Sequence, residues 1–211
     1  RPPISTLLPY TTLFRSVSHG DSDHAGGLAS LRAAFRDMPV ISGAEYRFPD
    51  VITCIRGQHW EWDGVSFQVL YPDAGAPVGG NDASCVVRVS GQGGSALLTG
   101  DIMRKSERHL LELEGDALRS DTLVAPHHGS NSSSSEPFVA AVSPSVVLFP
   151  VGYRNRWGFP KPEVVARYLG EGATLADSAT DGAVRVRFRP AVRPAVVMRW
   201  RPDMARLWTA H

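Results

Sequence analysis

An α/β domain is what the sequence predicts, and three observations lead there. Short apolar segments alternate with helix-patterned ones along the chain, the arrangement that layers helices against a sheet. Gly, Pro, Asn and Asp punctuate the joins between them. With 211 residues and 43% hydrophobic content, the chain can bury one sizeable core.

Each element is read from its own pattern. Residues 26–37 read as a helix, because Leu28, Leu31 and Phe35 fall at i, i+3 and i+7 on one stripe. Residues 65–70, 85–89 and 96–98 are expected strands between turn residues. A second helix spans 102–114 and is stopped by Gly115. Residues 122–125 and 146–149 are short apolar strands. Pro162 suits the first turn of a helix that runs to Leu169 and closes at Gly170. Residues 183–188 and 195–200 alternate or run apolar, and are expected to pair as late strands. No internal repeat is visible.

The bulk properties narrow the function classes. No apolar run approaches the roughly 20 residues of a membrane span, so none is expected within the chain. Cys54 and Cys85 sit in no zinc-type spacing, and no disulfide framework is expected from them. The net charge of +1 hides an asymmetry. Residues 1–153 hold 11 Lys and Arg against 16 Asp and Glu, net −5, whereas residues 154–211 hold 11 against 5, net +6. An acidic cluster able to hold cations, followed by a basic end, suits an anionic substrate; two ordinary solvated surfaces read equally well.

Residues 1–16 stand apart. The run from Thr6 to Ser16 resembles, with one substitution, the in-frame translation of a common sequencing-adapter oligonucleotide, and it lacks the layout of a signal peptide. The expectation is a non-native segment over 1–16 joined to a native domain over 17–211, with native elements upstream of Val17 missing. The alternative is a natural strand leading into the His19 loop, since 11–17 is β-prone.

The candidate chemistry begins at that loop. His19, Asp21, Asp23 and His24 place four potential metal ligands within six residues, and Gly26-Gly27 then lets backbone pack closely. Imidazole nitrogen mixed with carboxylate oxygen suits Zn²⁺ or Mn²⁺. The plainer alternative is a helix cap with incidental histidines, Asp23 capping and Asp21 favouring the N-terminus. Further on, a strand delivers His127 and His128 into a Gly/Ser-rich loop, offering imidazole to a metal and hydroxyls and amides to phosphate oxygens. Which of the two faces the metal is undecided, since neighbours on a strand point opposite ways.

The segment His19-Gly20-Asp21-Ser22-Asp23-His24-Ala25-Gly26-Gly27 resembles the signature loop of the metallo-β-lactamase superfamily, in the form with Asp at its second His position. Leu97-Leu98-Thr99-Gly100-Asp101 resembles the strand-end Thr-Gly-Asp whose carboxylate bridges two metals there. With Val124-Ala125-Pro126-His127-His128-Gly129-Ser130 and Asn155-Arg156-Trp157-Gly158-Phe159-Pro160, the wording is similar to the C-terminal domain of the ComEC family, across most of 17–211. Asp181-Gly182-Ala183 and a tail ending near Leu207-Trp208 agree with it.

The resemblance implies an α/β fold, a metallo-β-lactamase-like αββα sandwich lacking its first strands. It implies one or two divalent ions, Mn or Zn, held by His19, Asp21, Asp23, His24, Asp101 and one of His127 and His128, with Asp23 and Asp101 catalytic. Asp at position 21 biases the site toward harder ions such as Mn²⁺. Ser130, Ser132, Asn155 and Lys161 are candidates for substrate phosphate contacts. The implied activity is metal-dependent hydrolysis of phosphodiesters in incoming DNA during natural transformation. The implied location is extracytoplasmic (periplasmic), on the membrane channel part of a full-length protein of the bacterial inner membrane. Two alternatives stand beside it: a generic hydrolase of a small phosphate or acyl substrate, and a non-catalytic DNA-handling module. The second is favoured by Phe159, where the family writes His. Asn81 and Asp82 occupy a region where the superfamily often supplies another His, and turn residues after Gly79-Gly80 are the plainer reading. Arg185, Arg187 and Arg189 share one strand face, as a phosphate track or, more plainly, a solvated surface.

Overall fold

A strand whose successive side chains face opposite ways can serve two cores at once, and this chain does so repeatedly. The computed structural model describes residues 15–36, 39–43, 51–74, 79–190 and 192–204. Three parallel strands come first, β1 (Arg15–Val17), β2 (Val40–Ser42) and β3 (Val51–Thr53), with α1 (Ser22–Ala25) and α2 (Leu28–Ala34) between the first two. Val17 and Val40 face Ala25 and Leu28 on the helix side. Ile41, one residue along, faces the other way into a cluster with Trp60, Val69 and Val87.

That second cluster belongs to a seven-stranded sheet: β4 (His59–Trp62), β5 (Val65–Tyr71), β6 (Val86–Gly91), β7 (Gly94–Leu98), β8 (Thr122–Val124), β9 (Val146–Phe149) and β10 (Thr174–Asp177), side by side in sequence order. Pairing is antiparallel from β4 to β7 and parallel from β7 to β10. Parallel neighbours need crossovers, and α3 (Arg104–Glu114), α4 (Glu136–Val142) and α5 (Pro162–Gly170) supply them. Leu70, Val86, Leu97, Leu123 and Val147 bury against Leu110, Phe138, Val142, Val164 and Tyr168 of these helices. The result is helix, small sheet, large sheet, helices: the α/β sandwich the sequence predicts.

The chain closes with an antiparallel pair, β11 (Val184–Arg189) and β12 (Val192–Arg199), and α6 (Trp200–Asp203). Phe188 packs over Gly93 and Gly94 at the start of β7. Arg185, Arg187 and Arg189 lie exposed on the alternate positions, far from the end of β7 where Asp101 follows.

Two expectations are corrected. The helix expected over 26–37 is shorter, Leu28–Ala34, and Gly26-Gly27, where helix propensity is lowest, separate it from the one-turn α1 before it; Leu31 and Phe35 stay exposed, and Asp37 lies outside the described residues. The cysteines do pair: Cys54, just after β3, is bonded to Cys85, just before β6, with Cα atoms 5.8 Å apart. Their separation of 31 residues carries no local signal, because sheet packing brings them together. Residues 1–14 and the Leu207-Trp208 tail lie outside the described residues, while Arg15 and Ser16 form part of β1.

Candidate metal centre

Three strand ends meet at one edge. β1 runs into the Ser18–Asp21 turn, and β7 and β8, parallel and in register from Ala96↔Thr122 to Leu98↔Val124, run into Thr99-Gly100-Asp101 and Pro126-His127-His128. Thr99 Oγ1 donates to the Val124 carbonyl and the His127 amide donates to the Gly100 carbonyl, tying the second and third ends together. Gly100 has φ +56°, and a Cβ there would lie 2.6 Å from the Ser18 Cβ and 2.8 Å from the Ser84 Cβ, so only glycine lets the three turns close. His127 and His128 also have positive φ, 48° and 55°, conformations that cost non-glycine residues of order 1–3 kcal/mol each. Both have left the strand by then. The opposite-face rule therefore does not apply, and both imidazoles reach the same carboxylate.

Asp101, 4% exposed, is the hub. Its oxygens lie 3.1 Å from His24 Nε2, 3.5 Å from His128 Nε2, and 4.0 Å from the Nε2 atoms of His19 and His127. Asp21 reaches His19 Nε2 at 3.4 Å, and Asp23 reaches His128 Nε2 at 3.2 Å. Two overlapping sets share His24: His19, His24 and Asp101, and Asp23, His24 and His128, with ligand atoms within 4.8 Å of one another.

The rings are held from behind. His24 Nδ1 lies 2.9 Å from Ser18 Oγ, and His19 Nδ1 lies 3.1 Å from Ser18 Oγ and 3.3 Å from Ser84 Oγ. His127 Nδ1 lies 3.0 Å from Ser132 Oγ, whose neighbour Ser130 Oγ is 2.9 Å away. His128 Nδ1 donates to the Pro150 carbonyl at 2.8 Å. Anchoring every ring through Nδ1 presents every Nε2 to the centre, the usual support of metal-binding histidines. Ser18, Ser84 and Pro150 carry no chemical signature in the sequence. Asn81 does face the site, its Nδ2 3.2 Å from His127 Nε2.

The residues fit a divalent cation. His19 Nε2 is buried and, with Asp21 at 3.4 Å, makes no hydrogen bond among the described residues, a costly state for an atom aimed into a cluster of ligands. Burial would raise the Asp101 carboxyl, yet hydrogen bonds and charge from His128 and His24 hold it well below the carboxylate range. The Asp101 contact pushes His128 up to about 9, whereas burial pushes His127 down. The cluster is built around one buried negative charge that calls for positive charge beside it.

A cleft of about 980 Å³ opens over the cluster, lined by Asp21, Asp23, Asp101 and His128 on its floor and by Asn155, Arg156, Trp157 and Phe159 on one wall. Of the phosphate candidates, Ser130 and Ser132 stand behind His127. The Asn155 side chain staples its own loop, donating to the Gly152 and Phe159 carbonyls and accepting the Phe159 amide. Lys161 Nζ donates to the Trp157 carbonyl at 2.6 Å.

The family model for the metallo-beta-lactamase superfamily matches residues 16–152, a span that contains β2 through β9, all of β1 but Arg15, and every histidine of the centre. The chain belongs to that superfamily. Within it, this metallo-β-lactamase-like domain is homologous to competence proteins. It is 36% identical over 169 residues to competence protein ComA of Neisseria gonorrhoeae, covering 80% of this chain and 24% of that protein. It is 33% identical over 174 residues to recombination protein 2 of Haemophilus influenzae, covering 82% and 22%. The chain therefore spans about a quarter of the length of these curated relatives. Among solved structures, the metallo hydrolase Igni18 of Ignicoccus hospitalis shares the fold at TM-score 0.51 and 14% identity, over 89% of this chain and 80% of that one. The diiron β-hydroxylase CmlA of Streptomyces venezuelae does so at TM-score 0.54 and 14% identity, over 91% and 46%. Among the described residues no helix is long and apolar enough to cross a membrane.

Proposed function

We propose that the chain is an extracytoplasmic, metal-dependent phosphodiesterase domain of a DNA-uptake protein, acting on incoming DNA beside a membrane channel formed by other parts of the same polypeptide. The observation that carries this reading is the convergence of four Nε2 atoms on buried Asp101, beneath an open cleft whose wall carries Arg156. His19, His24 and Asp101 would hold one divalent ion, and Asp23 and His128, sharing His24, a second; His127 and Asp21 flank them. When bound, such ions lower the pKa of a coordinated water and neutralise charge on an attacked phosphate.

The protein's own groups do the rest. Ser18, Ser84, Ser132 and Pro150 orient the imidazoles, the aspartates would hold the ions and could take a proton from water, and Arg156 on the cleft wall offers a planar fork to phosphate oxygens. The names of the ComA and recombination protein 2 relatives support DNA uptake as the setting. The Cys54–Cys85 bond supports an oxidising compartment, since structural disulfides persist outside the cytosol.

A second reading has its own observation. Phe159 stands beside the centre, its ring 5.9 Å from that of His127 and 6.5 Å from that of His128. A position facing the ligands thus offers no donor, which favours a DNA-handling module that keeps the metal loop as scaffold. Cleavage of labelled single- and double-stranded DNA in Mn²⁺, with Asp101→Asn as control, separates the two. Wild-type cleavage lost in the variant is expected; intact metal binding without any cleavage would leave only the scaffold reading.

A further inference from the structure

The wall of the cleft facing the ligands is aromatic, and its rings form a file. The His128 and Phe159 ring centroids are 6.5 Å apart with planes at 20°, and those of Phe159 and Trp157 are 6.3 Å apart at 12°. The inner end is therefore in the metal centre. The outer end, Trp157, lines the cleft yet is 56% exposed. Burial does not hold this indole in place; its loop does. Asn155 clamps the Phe159 amide and carbonyl, and Lys161 grips the Trp157 carbonyl, so the ring stands on a backbone fixed by three polar contacts. The Arg156 guanidinium lies 4.4 Å from the Trp157 ring centroid. On the same loop Arg154 lies 5.2 Å from the ring centroid of Tyr153, which is 71% exposed.

A large exposed ring on an anchored loop, lining a cleft that would hold phosphate over the metal centre, is a surface for something flat. We propose that Trp157 is the platform on which an unpaired nucleobase of the DNA strand stacks, with Arg156 turning to the adjacent phosphate. The proposal rests on the phosphodiesterase reading of the cleft. Every base presents a π face, so such a platform binds strands without reading sequence. An exposed cation–π contact is weaker than base–aromatic stacking, so an arriving base displaces Arg156 from the ring. The freed guanidinium then meets the backbone charge next to that base. In a duplex the base faces are already covered by their neighbours, and reaching Trp157 requires unstacking. The platform therefore makes the cleft prefer single strands and frayed ends.

The test measures binding rather than turnover. A short fluorescein-labelled oligothymidylate with phosphorothioate linkages and an abasic strand of equal length and linkage are titrated with the chain in Mn²⁺. Trp157→Ala is expected to weaken oligothymidylate binding by about 5- to 100-fold and leave the abasic strand unchanged, while Trp157→Phe keeps most of the affinity. Equal weakening of both strands, or no change in either, would overturn the platform. Because no cleavage is read, an inactive protein can still show base-dependent binding. A protein that cleaves DNA but binds both strands alike loses the platform alone.

Discussion

Ser84 contacts the two groups that set the centre's geometry. It is fully buried, its Oγ accepts the Asp101 amide at 3.0 Å, and the same oxygen lies 3.3 Å from His19 Nδ1. The hydroxyl thus fixes a carboxylate and an imidazole relative to one another. In Ser84→Ala both lose that reference, and metal affinity is expected to fall 10- to 100-fold, the usual effect of removing a partner behind a ligand. The orphaned Asp101 amide should also cost about 1–3 kcal/mol of stability in chelator. Calorimetric titration with Mn²⁺ reads the first and thermal melting in EDTA the second; unchanged affinity would show that Ser84 only fills space. The candidate ligands were legible in the sequence because chemistry clusters in it: two His and two Asp within six residues, then Gly-Asp, then His-His. Ser84 was not, since one serine among many acquires its role only when three turns close over it.

Glu107 shows the same limit in a helix. The pattern of α3 reads as amphipathic, and an acidic residue in its first half looks like solvent surface. Yet Glu107 is fully buried, and its carboxylate accepts the Ser134 and Ser135 amides at the start of α4, an end no side chain of α4 itself caps. Strands and helices could be read from period and punctuation; this cross-helix cap could not, because its partners are 27 and 28 residues apart. The short strands β2, β3, β4 and β10 escaped as well: β8 and β9, no longer than these, are read from their apolar runs, whereas these four depend on pairing for their stability. Removing the side chain in Glu107→Ala should destabilise the fold by about 3 kcal/mol, two hydrogen bonds from buried amides being lost. Burial raises the Glu107 pKa above 4.5, so the folded state holds its proton longer than the unfolded one. Stability from this group is then present below about pH 4.5 and declines as pH rises through the folded value. The gap between wild type and variant in urea melts should narrow with rising pH; a gap that widens would reverse the assignment.

The two sheets and the centre between their ends share one covalent tie. Cys54 leaves the small sheet, Cys85 opens β6 of the large one, and the Cys85 amide donates to the Ser18 carbonyl at the turn that carries His19. Ser84, which orients Asp101, is the next residue back. The bond therefore joins the layers at the point where the β1 turn meets the β7 end, and its loss should reach both stability and the site. Closing a loop of 31 residues stabilises by about 3–4 kcal/mol in the chain-entropy picture. For a chain of this size that corresponds to roughly 6–15 °C in melting temperature. Reduction with dithiothreitol should lower the wild-type midpoint by that amount and weaken Mn²⁺ binding along with it. A Cys54→Ser/Cys85→Ser variant should start from the lower midpoint and ignore the reductant. If reductant leaves the wild-type midpoint and metal affinity where they were, the sheets are held by the Ile41, Trp60 and Val69 cluster alone, and the disulfide loses its role in support of the centre.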